Sequence, residues 1–72
     1  MRTTATIEEM TSAYVLFTDT ETYVVEYLLG ELILSNSISE ALVFTNELQA
    51  LRFKQLLFQE CQLTTSVNTY IG

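Results

Sequence analysis

Apolar positions recur along this chain at two different periods. From Thr45 to Cys61 (TNELQALRFKQLLFQEC), Ala50, Phe53, Leu56, Leu57 and Cys61 are spaced by three and four, which sets them on one face of a 3.6-period helix. No Gly or Pro interrupts this run, and most of its residues are good helix formers. Thr45 is the predicted N-cap, since its hydroxyl can accept from an amide left unpaired in the first turn. Glu47 then places negative charge at the positive end of the helix dipole. Upstream, the apolar residues come in short aromatic and β-branched blocks, Ala13–Phe17, Thr22–Leu29 and Glu31–Ser35, which read as three strands.

Two breaks turn these strands into an antiparallel meander from about Ser12 to Ser35. Thr18-Asp19-Thr20-Glu21 is a polar segment without glycine and predicts a four-residue loop around a type I turn. Gly30-Glu31 predicts a two-residue type II′ turn, with Gly30 supplying the positive φ of the first central position. The register that follows sets Leu16 opposite Tyr23, Tyr14 opposite Val25, Leu29 opposite Leu32 and Tyr27 opposite Leu34. One face then carries Tyr14, Leu16, Tyr23, Val25, Tyr27, Leu29, Leu32 and Leu34. The other carries Ala13, Val15, Phe17, Val24, Leu28 and Ile33, with only Thr22, Glu26 and Ser35 as polar relief. A one-sided antiparallel sheet should alternate cleanly between apolar and polar, and this one does not.

Asn36–Glu40 is polar, Ser37 and Glu40 have capping-box spacing, and a single helical or 3₁₀ turn through about Leu42 is expected. A rival reading runs one helix from Ile38 to Cys61, with Val43, Phe44 and Thr45 inside it. After the helix, Thr64–Ile71 alternates, with Leu63, Thr65, Val67, Thr69 and Ile71 on one side. That predicts a final strand near Thr65–Ile71, at the sheet edge or beside the first strand. Residues 1–11 are read as a flexible tail or a short extra element, for which Thr6 and Glu9 offer a second capping box. The fold class is α+β, in the order β-β-β-α-β, within a single domain of residues 1–72.

The helix has a second apolar stripe, Leu48, Leu51 and Phe58, which leaves only a narrow polar strip. Either the chain termini wrap over these side chains or a second copy meets them. Surplus apolar surface on both sheet and helix favours a homo-oligomer, most simply a dimer.

Composition narrows the partners. Apolar residues make up 49% of the 72 positions and charged residues only 17%, so the chain folds with little polar surface to cover its core. Nine acids face three bases, a net charge of −6, and no base occurs between Thr3 and Leu51. Too little positive charge exists to displace counterions from phosphates, which argues against direct nucleic-acid binding. The acids serve solubility or offer an acidic face, Asp19, Glu21, Glu31 and Glu40, to a basic partner protein. The single cysteine, Cys61, cannot form an internal disulfide and has no histidine to activate it. With no signal-peptide pattern and no apolar run of spanning length, a cytoplasmic setting without membrane contact is expected.

The lack of histidine removes Cys–His and Ser–His catalysis, and the usual zinc ligand sets and a GxxxxGK loop are missing as well. Asp19, Glu21 and Glu26 are the remaining carboxylates near one hairpin. Glu21 and Glu26 differ by an odd number of residues and project to opposite faces, so a solvated turn is the better reading than a metal site. No cofactor is expected, and the chain reads as a non-enzyme. Tyr14, Tyr23 and Tyr27 share the inferred sheet face and join Leu48, Leu51 and Phe58 as candidate protein contacts, because tyrosine combines large contact area with a polar tip.

Tyr14-Val15, Ile38, Ala41-Leu42-Val43-Phe44-Thr45, Ala50, Phe53 and Leu56 together resemble the layout of small uncharacterised proteins encoded by bacteriophages and prophages. The likeness runs from Tyr14 through most of the chain, rests on packing residues and carries no active site. The chain departs from that layout in lacking basic residues in its first hairpin. The resemblance implies a small intracellular accessory protein, and with the acidic charge an inhibitor or adaptor docking on a larger, nucleic-acid-binding host protein. A purely structural, self-associating subunit is the alternative.

Overall fold

In the computed structural model, which describes residues 13–70, the chain runs as β1 (Tyr14–Thr18), β2 (Tyr23–Leu28), β3 (Glu31–Ser35), a 3₁₀ turn (Ile38–Glu40), helix α1 (Glu47–Cys61) and β4 (Thr65–Thr69). This is the expected α+β order. The readings placed on residues 1–11, and Ile71 at the end of the last strand, lie outside the described residues. The four strands form one antiparallel sheet in the order β3-β2-β1-β4. The final strand is thus both a sheet edge and the neighbour of the first strand.

The first loop is one residue shorter than expected. The Thr18 amide donates to the Thr22 carbonyl at 2.8 Å, which leaves Asp19-Thr20-Glu21 as the loop. The Glu21 amide closes a β-turn on the Thr18 carbonyl at 3.2 Å, and Glu21 follows in the left-handed region at φ 63°. A β-turn followed by a left-handed residue is a standard three-residue hairpin, although glycine usually takes the last position. Here threonine hydroxyls hold the loop. Thr18 Oγ1 lies 2.6 Å from Thr22 Oγ1 and 2.9 Å from Thr20 Oγ1, and it accepts from the amides of Thr20 and Thr22. The lost residue slips the register by one, so Tyr23 sits opposite Phe17 instead of Leu16. A slip of one exchanges the two faces of a strand.

The second loop is also displaced. Leu28 pairs with Glu31, and the two loop residues are Leu29 at φ 54° and Gly30 at φ 80°. Two positive φ values make a type I′ turn, not the expected II′. Tyr27 therefore faces Leu32, and Leu34 faces Val24. The ladder shifts between Val24 and Glu26, a bulge that accommodates Val25 as an extra residue. That bulge accounts for the missing alternation: it lets Val24 and Tyr27, three positions apart, reach the same core.

Beyond Phe17 and Tyr23 the segment after the 3₁₀ turn reaches β1 and β2. The Leu42 amide donates to the Val24 carbonyl at 2.9 Å, and Phe44 and Tyr14 exchange two bonds of 2.8 Å. The 3₁₀ turn ends at Ala41, whose backbone is extended, and this excludes the single long helix. Ser37 makes no cap bond to the turn; its hydroxyl pairs with Ser39 at 2.8 Å, while Glu40 accepts from the Ser35 hydroxyl.

Helix α1 begins at Glu47, one residue later than a Thr45 cap implies. Asn46 is its cap, with Oδ1 accepting from Leu48 at 2.8 Å and Gln49 at 3.3 Å. It ends at Gln62 in the left-handed region, and the amides of Gln62 and Leu63 close on the carbonyls of Phe58 and Leu57. The helix packs on β1 and β4, where Leu16, Val24 and Leu57 are fully buried. Each such side chain stabilises the fold by about 1.5–3 kcal/mol. Tyr27, Leu32, Phe44, Phe53, Cys61, Leu63 and Val67 surround that centre. Ala50 is buried as expected, but Leu56 is exposed.

Candidate interaction surfaces

The register decides where the tyrosines go, and it separates them. Tyr14 lies two positions from the buried Leu16, so it belongs to the helix-covered face, where it is half-buried. Tyr27 packs against the core on that same face. Tyr23 pairs with Phe17, on the opposite face, with ring centroids 4.9 Å apart. The expected single tyrosine face does not exist, because the three-residue loop moved Tyr23 across the sheet.

Tyr27 is tied to the end of the helix. Its hydroxyl donates to Glu60 Oε1 at 3.4 Å, and Cys61 lies beside it. The neighbouring Cys61 side chain, followed by desolvation and by the Glu60 carboxylate, raises the phenol pKa above its ordinary value. Cys61 itself is a free, half-buried thiol against the core.

The acidic candidates are dispersed. Asp19 and Glu21 occupy the β1–β2 loop, Glu31 starts β3 at the other end of β2, and Glu40 ends the 3₁₀ turn. All four are exposed, and Glu31 lies at the opposite end of β2 from Asp19 and Glu21. Among the described residues, no group of three His, Cys, Asp or Glu side chains is placed to hold a metal ion.

The helix stripe is present as read. Leu48 is 54% exposed and Phe58 57%, with Leu51 between them on the outer side of α1. Leu51, Lys54, Gln55 and Phe58, spaced by three and four, line an open groove of about 450 Å³ with Thr64. The Lys54 ammonium is anchored there by donating to the Thr65 carbonyl. A second hollow of about 310 Å³, lined by Phe17, Thr18, Asp19 and Thr64–Ser66, adjoins the buried Thr65, whose hydroxyl has no hydrogen-bond partner.

One surface escaped the sequence reading as a distinct site. The β2–β3 hairpin leaves Leu28 and Ile33 exposed on the face away from α1, Leu34 on the α1 face and Leu29, at 96%, at the turn between them. Its signal was the apolar excess on both sides of the sheet. Among the described residues, no helix is long and apolar enough to cross a membrane. Comparison with protein-family models, with characterised proteins and with solved structures found no match to this chain.

Proposed function

We propose that this protein is a non-catalytic interaction module, an adaptor or inhibitor that docks on a larger protein through the outer face of α1. The observation that carries this reading is the exposed Leu48–Leu51–Phe58 stripe on a capped, well-packed helix, flanked by an open groove. An apolar helix face held rigid by a core on its other side supplies contact area at little conformational cost. The likeness to small phage-encoded proteins agrees with such a role, an inhibitor of a host protein in the cytoplasm. The dispersed acids contribute a diffuse negative field, which speeds encounter with a basic partner without defining where it docks.

The test is affinity capture from the native host with the wild-type chain and with the L51E/F58E double variant, after circular dichroism shows both folded. A specific protein captured by the wild type and lost with the double variant supports this reading. Identical recoveries, or recovery of nothing but the protein itself, would refute it. A basic partner further requires that affinity fall with salt and weaken on D19N/E21Q substitution. The edge of β3, beyond which no strand lies among the described residues, favours a second reading, a self-associating structural subunit.

A further inference from the structure

Strand β3 ends the sheet, and among the described residues no strand lies beyond it. Exposed edges are usually blunted by lysine, proline or a bulge. The sequence of β3, Glu-Leu-Ile-Leu-Ser, has no lysine or proline, and the extra residue of this hairpin sits on β2. The turn determines which backbone groups point outward. Because the Leu29-Gly30 loop has two residues, the flanking Leu28 and Glu31 exchange both ladder hydrogen bonds. Alternation makes Glu26 and Ile33 the next such pair. The amides and carbonyls of Leu32 and Leu34 therefore face away from β2.

We propose that this edge pairs antiparallel with the same edge of a second copy, about a twofold axis through Ile33. Leu32 then lies opposite Leu34 of the other copy. The outward N–H of Leu32 donates to that Leu34 carbonyl, the N–H of that Leu34 donates to the Leu32 carbonyl, and the axis repeats both bonds. Glu31 falls opposite Ser35 and not opposite another acid. A slide of one residue would set outward groups against inward ones. Centring on Leu32 or Leu34 instead would place part of the strand against Gly30 or Asn36. Only the Ile33 axis matches the strand to itself over its whole length, as an isologous contact requires.

The side chains agree with the backbone. Paired residues share a face, so Leu32 and Leu34 of both copies form a four-leucine cluster on the α1 side, continuous with the core that Leu32 already joins. On the opposite side Ile33, 46% exposed in the single chain, meets its own counterpart. Two four-stranded sheets become one of eight. This surface shares no residue with the helix stripe, so the proposal stands or falls separately from docking through α1.

Sedimentation equilibrium on the full chain at micromolar concentration tests it. The wild type should have twice the chain mass, and the L51E/F58E variant should remain dimeric. The I33K and I33E variants should each be monomeric with unchanged far-ultraviolet dichroism, because like charges would face each other across the axis in a close, non-hydrogen-bonded pair. An equal mixture of the two should restore a dimer containing one of each. If either charged variant loses its dichroism, I33T, which keeps strand propensity, should still raise the dimer dissociation constant at least tenfold. A wild type of one chain mass, a folded I33K variant that stays dimeric, or a mixture of folded variants that stays monomeric overturns the proposal.

Discussion

Phe17 lies directly across from Tyr23 in the first hairpin, with ring centroids 4.9 Å apart and ring planes tilted by 56°. Tilted aromatic pairs of this kind contribute about 0.5–1.5 kcal/mol beyond the area they bury. Because β1 and β2 meet in register only there, the pair is the clasp of the hairpin. A double-mutant cycle of F17A and Y23A, followed by urea denaturation, should return a coupling energy in that range. Independent, additive losses would mean that the rings do not touch.

Leu29 is fully exposed in a left-handed backbone conformation, where a side chain costs about 1–2 kcal/mol. The type I′ turn prefers Asn-Gly. L29N should therefore raise the urea midpoint by the equivalent of about 1 kcal/mol, with no lost packing to offset the gain. Gly30→Ala should lower it, although a Cβ at Gly30 meets no atom within 4 Å, because φ there is 80°. A destabilised L29N variant would contradict the turn type.

Asn46, not Thr45, holds the first amides of α1. N46A should cost about 1 kcal/mol in thermal or urea unfolding, the usual worth of an N-cap. T45A should be close to neutral. The reverse ranking would restore the cap expected from the sequence.

Tyr27 should titrate late. Its phenol pKa is raised above its ordinary value, first by the neighbouring Cys61 side chain and then by desolvation and the Glu60 carboxylate. The folded protein thus holds this proton more tightly than the unfolded chain does. The associated stability is complete below the unfolded-state value and disappears as pH rises through the folded-state value. In an ultraviolet titration of the phenols a late step should appear, and Y27F should remove it. The same variant should flatten the loss of stability at alkaline pH.

Element types were legible in the sequence because period and propensity agree within each segment: 3.6 through Ala50, Phe53 and Leu57, and near-continuous apolar blocks through the strands. Register was not, since it depends on single residues. Glu21 and Leu29 occupy left-handed positions that composition assigns to glycine, so neither loop advertised its length. The bulge at Val25 has no local signature at all; it follows from the need to bring both Val24 and Tyr27 onto the core. The helix stripe at Leu48, Leu51 and Phe58 could be read directly, because helical spacing survives a boundary error of one residue. The tyrosine face could not survive a slip of one.

The bridge between Tyr14 and Phe44 has a consequence for the order in which the molecule assembles. β2 and β3 close over a two-residue turn and need nothing distant, so that hairpin can form on the microsecond scale. β1 depends on Phe44, thirty positions later, and on β4, whose Thr69 pairs with Tyr14 fifty-five positions later. Such pairings carry the loop-closure entropy that slows folding. Amide exchange in β1 should therefore report only global unfolding. The strand that comes first in the chain is then the last to be secured.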